Sequence, residues 1–307
     1  MKIIIGTAQL GLNYGITNEY GKPSIQKSLN IIKKALDNDI TTFDTARAYG
    51  DSEYILGLAM QNYNNLNIIT KLDPLSDINK ITSNKDIYKM IDNSINTSIK
   101  NLNLCIIDTL LVHRFSHYNN KIIWNYLLKN KIDEYSSKNS VKKIKKLGVS
   151  IYYVNEGIKA LKDKNVKHIQ LPINILDNQW FNKDFLNLVK NRSDVTIHCR
   201  SIFLQGILIS SEDKWPKLNN INSLEYVEKI NNLINKFNLN NKIELCISYI
   251  KSIDWIDGLL MGVDNVEQLN KNIEIFKVRT LNKFEFNYVR QLFKNVPESL
   301  LNPSKWK

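Results

Sequence analysis

A chain of 307 residues with 43% apolar side chains has the means to bury a large core, which excludes wholesale disorder, and no apolar run approaches the ~20 residues that cross a bilayer. The net charge of +12 admits a nucleic-acid partner or a phosphorylated substrate. The lysines are nevertheless spread over many segments with no accompanying RNA- or DNA-binding motif, so the charge reads as general basic composition rather than a nucleic-acid stripe.

In chain order, MKIIIGTAQLG opens the sequence. Its apolar stretch ends at Gly6 with no small-residue cleavage site after it, so residues 3–8 read as a first strand rather than a signal peptide. Residues 25–36, IQKSLNIIKKAL, carry apolar positions at three- and four-residue spacing behind the cap Ser24, which predicts a helix. A strand over 40–44 leads into the polar stretch DTARAYGDSE. Another strand spans 67–71, and a second helical pattern covers 87–99 behind Ser83 or Asn84. Strands follow at 105–113, 147–151, 168–172, 194–198 and 257–262. The lysine run KKIKK at 142–146 has the spacing of a helix's solvent face. Residues 205–222, QGILISSEDKWPKLNNIN, form the longest irregular segment, a length that usually marks function or mobility. Cys105, Cys199 and Cys246 lie in apolar contexts without metal-ligand spacing. They read as buried small hydrophobes of a reducing, cytoplasmic protein.

Eight strands alternating with helices predict an all-parallel sheet, open or closed. No G-x-G-x-x-G opens the first helix, which removes the usual dinucleotide signature of the open form. Eight units without a linker predict one domain over residues 1–307, a (β/α)8 barrel of the TIM type. In such a barrel the active site lies at the C-terminal strand ends. Strand two ends in Asp44, with Tyr49 in its loop; strand three ends in Lys71 and strand four in His113. Strand five ends at Ser150, strand six carries Gln170, and strand seven runs into Arg200 and Ser201. Asp44, Tyr49, Lys71 and His113 would converge at one rim. A phenol is a weak acid, an adjacent ammonium lowers its pKa, a carboxylate fixes the ammonium, and an imidazole can polarise a carbonyl oxygen. Together they would deliver a proton to an oxygen that gains negative charge. Each has a plainer reading: a cap for Asp44, a loop aromatic for Tyr49, a solvated strand end for Lys71 and a satisfied core imidazole for His113.

The stretch DTARAYGDSE, Lys71 in IITK and His113 in DTLLVH resemble the aldo-keto reductases. So do GVSIYY, IQLPINILD, RSIFLQGIL and MGVDNVEQLNKN further along. The resemblance implies a (β/α)8 enzyme using NADPH or NADH on a carbonyl substrate, with Tyr49 as general acid, Lys71 and Asp44 tuning it, and His113 orienting the carbonyl. It implies nicotinamide contacts from Ser150 and Gln170, pyrophosphate contacts from Ser201 and the backbone of Phe203, Leu204 and Gly206, and adenosine contacts from Gln268 and Asn272. Gly6, Thr7, Asp44, Arg200 and Gly262 complete the implied cofactor set; no metal is implied. Within the family the chain looks closest to a bacterial branch associated with surface-polysaccharide or modified-sugar pathways, which implies a sugar or nucleotide-sugar substrate and a role in carbohydrate metabolism. Several positions depart from the pattern. Ile151 stands where Asn follows the strand-five Ser, and Arg200 where an aromatic stacks on the nicotinamide. Residues 262–265 offer no cation to a 2′-phosphate, and no floor hairpin precedes strand one. Alternatives are retained-cofactor epimerase-type chemistry, a nicotinamide-binding redox-sensing module, or an RNA-associated protein. Trp180, Trp215 and Trp306 are candidate pocket walls, and Arg47 and Arg114 candidate rim cations.

Overall fold

A computed structural model describes residues 1–15, 21–75, 78, 83–131, 143–219 and 221–306. Eight parallel strands close into a barrel in sequence order. They are β1 (Lys2–Gly6), β2 (Thr42–Asp44), β3 (Asn67–Lys71), β4 (Ile107–Val112), β5 (Ile144–Ser150), β6 (Val166–Pro172), β7 (Thr196–Arg200) and β8 (Gly258–Gly262). β8 pairs back onto β1 along its whole length, which closes the ring. The expected (β/α)8 barrel is therefore the observed one.

Helices pack around the barrel. They are α1 (Ala8–Gly11), α2 (Ile25–Leu36), α3 (Ser52–Met60), α4 (Asn84–Leu102), α5 (Phe115–Asn119), α6 (Lys121–Lys129) and α7 (Val154–Lys162). After these come α8 (Lys183–Lys190), α9 (Ser223–Lys236), α10 (Lys242–Lys251), α11 (Val266–Ile275), α12 (Lys283–Leu292) and α13 (Glu298–Leu301). α2 occupies the span its periodicity predicts, with Ser24 Oγ accepting from the Lys27 amide and Ile31, Ile32 and Ala35 buried. The asparagine-rich composition supplies many other helix starts. Asn120, Asn182, Asn241, Asn265 and Asn282 each accept a first-turn amide with the side chain, which satisfies donors a helix otherwise leaves unpaired. None of the described helices is long and apolar enough to cross a membrane.

Two sequence readings differ from the structure. The lysine run begins outside the described residues, and Lys145 and Lys146 lie on β5, not on a helix. Ile144, the single apolar residue among these lysines, pairs with Ile107 in the sheet, and one such residue cannot tell period two from 3.6. Of the segment 205–222, residue 220 lies outside the described residues; the rest makes only short 3-10 turns at Leu204–Ile209, broken by left-handed Gln205 and Gly206, and at Glu212–Lys214, and Trp215 anchors it in the core. Cys105 is exposed, while Cys199 and Cys246 are buried.

Strand alternation sends one set of residues outward to the helices and the other into the barrel. Leu147, Val149, Ile169 and Leu171 join the outer core. The inward set is unusually polar. Near the base, His168 and His198 meet edge to face with ring centroids 4.4 Å apart. Among the described residues His168 Nε2 and His198 Nδ1 are buried without a partner. Burial pushes His198 down to about 4; burial, then His198 and Lys71, hold His168 well below the ordinary range.

The folded barrel thus prefers both imidazoles neutral. The unfolded chain binds protons near pH ~6.5 that the folded chain refuses, so unfolding free energy rises with pH in that window. Stability from these groups is complete above pH ~6.5 and is lost as pH falls toward about 4. Urea midpoints measured across this range should fall with acidification, and His198→Gln should flatten the slope. A wild-type profile level through the window would show that the pair is solvated or otherwise satisfied.

Candidate active site

The upper inward layer holds the polar strand ends. Asp44 closes β2 and Lys71 closes β3, with side chains 2% and 1% exposed. Lys71 Nζ donates to Asp44 Oδ1 at 2.5 Å and to the Thr45 carbonyl at 2.9 Å. Gln170, in the middle of β6, donates its Nε2 to Asp44 Oδ2 at 2.6 Å across the barrel. Burial lowers the Lys71 pKa, but the Asp44 carboxylate beside it overrides burial and holds the net value above the ordinary one. Lys71 is a fixed cation.

Tyr49 is held over this pair, with Lys71 Nζ 5.0 Å from its ring centroid. His113, just past β4, meets the Tyr49 ring edge-on at a centroid distance of 6.0 Å. Among the described residues the Tyr49 hydroxyl has no hydrogen-bond partner, and His113 Nδ1 is buried without one. The loop that presents Tyr49 is wedged against α1. Gly50 sits at φ +54, in the left-handed region that glycine enters without steric cost. A Cβ on Gly11 would fall 1.8 Å from the Tyr49 carbonyl oxygen, so only glycine lets the two backbones approach. Gly11 was not singled out in the sequence; the contact is invisible there because it joins two distant turns. Behind the loop the Thr7 hydroxyl donates to the Asp44 carbonyl at 2.9 Å, and Ser52 Oγ donates to Thr7 O at 2.9 Å.

The electrostatics differ in part from the sequence expectation. Lys71 does lower the Tyr49 pKa, but burial raises it more, so the phenol ends above its ordinary value. Asp44 also raises it and Arg200 lowers it. Burial, followed by Lys71 and Arg200, drives His113 down to about 3. At neutral pH the constellation therefore offers a protonated phenol, an ammonium tied to Asp44 and a neutral imidazole.

The remaining candidates spread outward from this centre. Ser150 ends β5, 4% exposed, and its hydroxyl makes no hydrogen bond among the described residues. Ile151 is fully buried and its carbonyl accepts from Arg200 at 3.2 Å. Arg200 stacks on Tyr152 at 4.4 Å. From Ser201 the backbone is strained: Ser201, Leu204 and Gln205 take φ of 61, 46 and 60, and Gly206 takes 96. Left-handed non-glycine residues cost about 1–3 kcal/mol each and cluster at functional loops. Phe203 packs its side chain against the core. Gly6 and Gly262 are paired neighbours on β1 and β8. Gln268 closes the start of α11, its amide donating to Asn265 Oδ1 at 2.8 Å and its Oε1 accepting from the Asp264 amide at 2.7 Å. Asn272 lies one turn further along α11.

The matching family model, Aldo/keto reductase family, covers residues 2–294. The chain belongs to the aldo/keto reductase family. The aldo-keto reductase AKR11C1 from Bacillus halodurans, in its holo form, superposes with a TM-score of 0.70 at 18% identity, covering 98% of this chain and 95% of that one. An aldo-keto reductase structure from Pseudomonas aeruginosa matches with a TM-score of 0.59 at 17% identity, over 89% of this chain and 88% of that one. Both likenesses concern the fold. No curated protein sequence matches. As an aldo/keto reductase, the chain is an oxidoreductase of a family that generally uses NADPH or NADH on small molecules.

This reductase has a cavity of about 1040 Å³; none of Tyr49, Lys71, Asp44 and His113 lines it, and Arg200, whose charge acts on Tyr49 and His113, is the lining residue that links it to them. Tyr14, Tyr152 and Tyr153 form its aromatic wall, with Asn174, Asn178 and Gln179 among its amide lining. The carboxy-terminal segment supplies a further side, including Glu298 and Asn302. Both reach Tyr153: its hydroxyl donates to Glu298 at 3.1 Å and accepts from Asn302 at 3.3 Å. The tryptophans are not walls: Trp180 and Trp215 are core residues, and Trp306 ties its indole N–H to the Ser299 and Leu300 carbonyls. Of the other rim arginines, Arg47 faces the buried Glu53 at 3.7 Å, and Arg114 contributes charge near His113.

Proposed function

We propose that this aldo/keto reductase is a nicotinamide-dependent carbonyl reductase whose substrate is a sugar or nucleotide-sugar. The observation that carries it is the cluster of Tyr49, Lys71, Asp44 and His113 at the C-terminal rim, with the Tyr49 hydroxyl uncommitted. A bound NADH or NADPH supplies hydride. Tyr49 gives its proton to the carbonyl oxygen as negative charge develops there. Lys71, pinned by Asp44 and Gln170, favours the phenolate left behind. His113, neutral, orients the carbonyl by hydrogen bonding.

The residues present fit the cofactor. Among the described residues the Ser150 hydroxyl makes no hydrogen bond, and Gln170 keeps its amide oxygen after donating to Asp44, so an acceptor and a donor remain for a carboxamide. Ser201, Phe203, Leu204 and Gly206 supply backbone of the irregular kind that cradles anions. Thr7 would act through the Asp44 backbone, since its hydroxyl is committed there. The aromatic and amide lining of the cavity suits a polyhydroxylated substrate. Titrating NADH and NADPH against tryptophan fluorescence, followed by aldose and nucleotide-sugar reduction assays, tests the reading. Binding of neither cofactor below millimolar concentration would defeat it.

Between the cofactors, NADH is favoured. Among the described residues Asp264 has a buried side-chain oxygen without a partner. It stands immediately before Asn265, the cap of α11, where the family's adenosine end would dock. A 2′-phosphate beside a carboxylate and no cation is unfavourable. Asp264→Arg supplies a cation and spares the Asn265 cap. It should tighten NADPH relative to NADH by about tenfold, the effect of one charge-assisted hydrogen bond. An unchanged ratio of dissociation constants would move the adenosine elsewhere.

A further inference from the structure

We propose that Arg200 forms an anion-recognising subsite in this cavity, with Lys294 a second cation on the same lining, so that the carbonyl substrate carries a phosphate or carboxylate group. The inference deepens the reductase reading and rests on it.

The charge balance of the cavity motivates it. Its lining includes two carboxylates, Asp177 and Glu298, and two cations, Arg200 and Lys294. The carboxylates are committed elsewhere. Asp177 is 4% exposed and accepts from the Gln179 amide at 3.1 Å and its Nε2 at 2.9 Å. Burial also raises its pKa, which weakens it as a counter-charge. Glu298 is matched by Lys305 at 2.8 Å and by the Tyr153 hydroxyl. Among the described residues no carboxylate lies within 4.0 Å of the Arg200 guanidinium or the Lys294 ammonium. Among the described residues the two cations of the lining have no carboxylate partner.

Arg200 is also pre-aimed. One terminal nitrogen donates to the Ile151 carbonyl at 3.2 Å, the other to Ser201 Oγ at 3.4 Å, and the plane lies over Tyr152. A guanidinium has five N–H donors in a rigid fork, so these contacts fix its orientation and leave donors unused. Leaving a partly buried cation uncompensated costs free energy, and a bidentate anion recovers it. The subsite is close to the chemistry, because the Arg200 charge is felt at both Tyr49 and His113. A small phosphorylated aldehyde or a nucleotide-sugar diphosphate both bring the required group.

The test compares charged and neutral substrates within each variant, so that shared effects on the cofactor cancel. The ratio of kcat/KM for glyceraldehyde 3-phosphate over glyceraldehyde, and for 4-carboxybenzaldehyde over benzaldehyde, should favour the anion by about 10- to 100-fold in the wild type. Arg200→Gln should bring the ratio near unity, Arg200→Lys should restore part of it, and Lys294→Gln should lower it less. Two binding measurements need no turnover. Calorimetry should show glycerol 3-phosphate, and not glycerol, binding the wild type and failing to bind Arg200→Gln. Loss of this binding with no aldehyde turnover in any protein would keep the anion site and reject the reductase reading. Tryptophan quenching by NADH separates the sources of the anion. If Arg200→Gln weakens NADH as much as it weakens the charged substrates, the cation serves the cofactor diphosphate and the substrate assignment falls. It falls equally if the wild type does not discriminate between the paired aldehydes.

Discussion

Lys71→Met is expected to lower the unfolding free energy by about 3–5 kcal/mol, while the double variant Lys71→Met/Asp44→Asn regains most of that loss and stays inactive. The asymmetry follows from burial. The Asp44 carboxylate is 2% exposed, with one oxygen on Lys71 and the other on Gln170. Removing the ammonium leaves a charge in the barrel interior with one amide donor for company, and an unpaired buried charge is among the costliest single defects. Removing both charges leaves an amide that Gln170 and its surroundings can still satisfy, which is why paired deletions of buried ions are often close to neutral. Urea denaturation of wild type, both single variants and the double variant measures the coupling directly. A single-variant loss below about 1 kcal/mol would equate the pair with an exposed salt bridge and contradict its placement. A double variant as unstable as Lys71→Met would assign the cost to packing rather than charge.

The same layering explains what could be read from the sequence. The eight strands were legible because each is a short apolar run between helical periods, and a strand buried on both faces needs no fine alternation to be seen. Asp44, Lys71 and His113 were legible because each is the ionisable residue that ends such a run, and a closed barrel brings successive strand ends to one rim. What failed were contacts set by the closed ring. The hold of Gln170 on Asp44 crosses the barrel over 126 positions, and the Gly11 contact with the Tyr49 backbone joins two turns. The lysines of β5 look helical until pairing with β4 fixes their period. The inward histidine pair belongs to the same class, since neither residue announces its direction until the register with β7 is known. Arg200 was noted as a departure, but its isolation from carboxylates depends on Glu298 and Lys305 meeting each other, which only the folded tail decides.

Tyr49→Phe is expected to cut kcat/KM for carbonyl reduction by about 10²- to 10⁴-fold, the range for loss of a positioned proton donor. The hydroxyl has no hydrogen-bond partner among the described residues, so its removal orphans nothing, and the urea midpoint and the NADH dissociation constant should hardly move. That separation distinguishes a chemical role from a structural one. The pH profile gives a second reading. Burial keeps the phenol protonated through neutral pH and above its ordinary value, and reduction needs that proton. The rate should therefore hold through the neutral range and fall only as pH rises through the elevated phenol pKa; oxidation, which needs the phenolate, should show the opposite limb. His113 is neutral down to about 3, so no limb should appear near the usual histidine value. Lys71→Arg, which keeps the cation at some cost in fit, should retain an alkaline limb that Tyr49→Phe lacks. An alkaline limb that persists unchanged in Tyr49→Phe would transfer the proton to another group, and turnover equal to wild type would remove Tyr49 from the chemistry altogether.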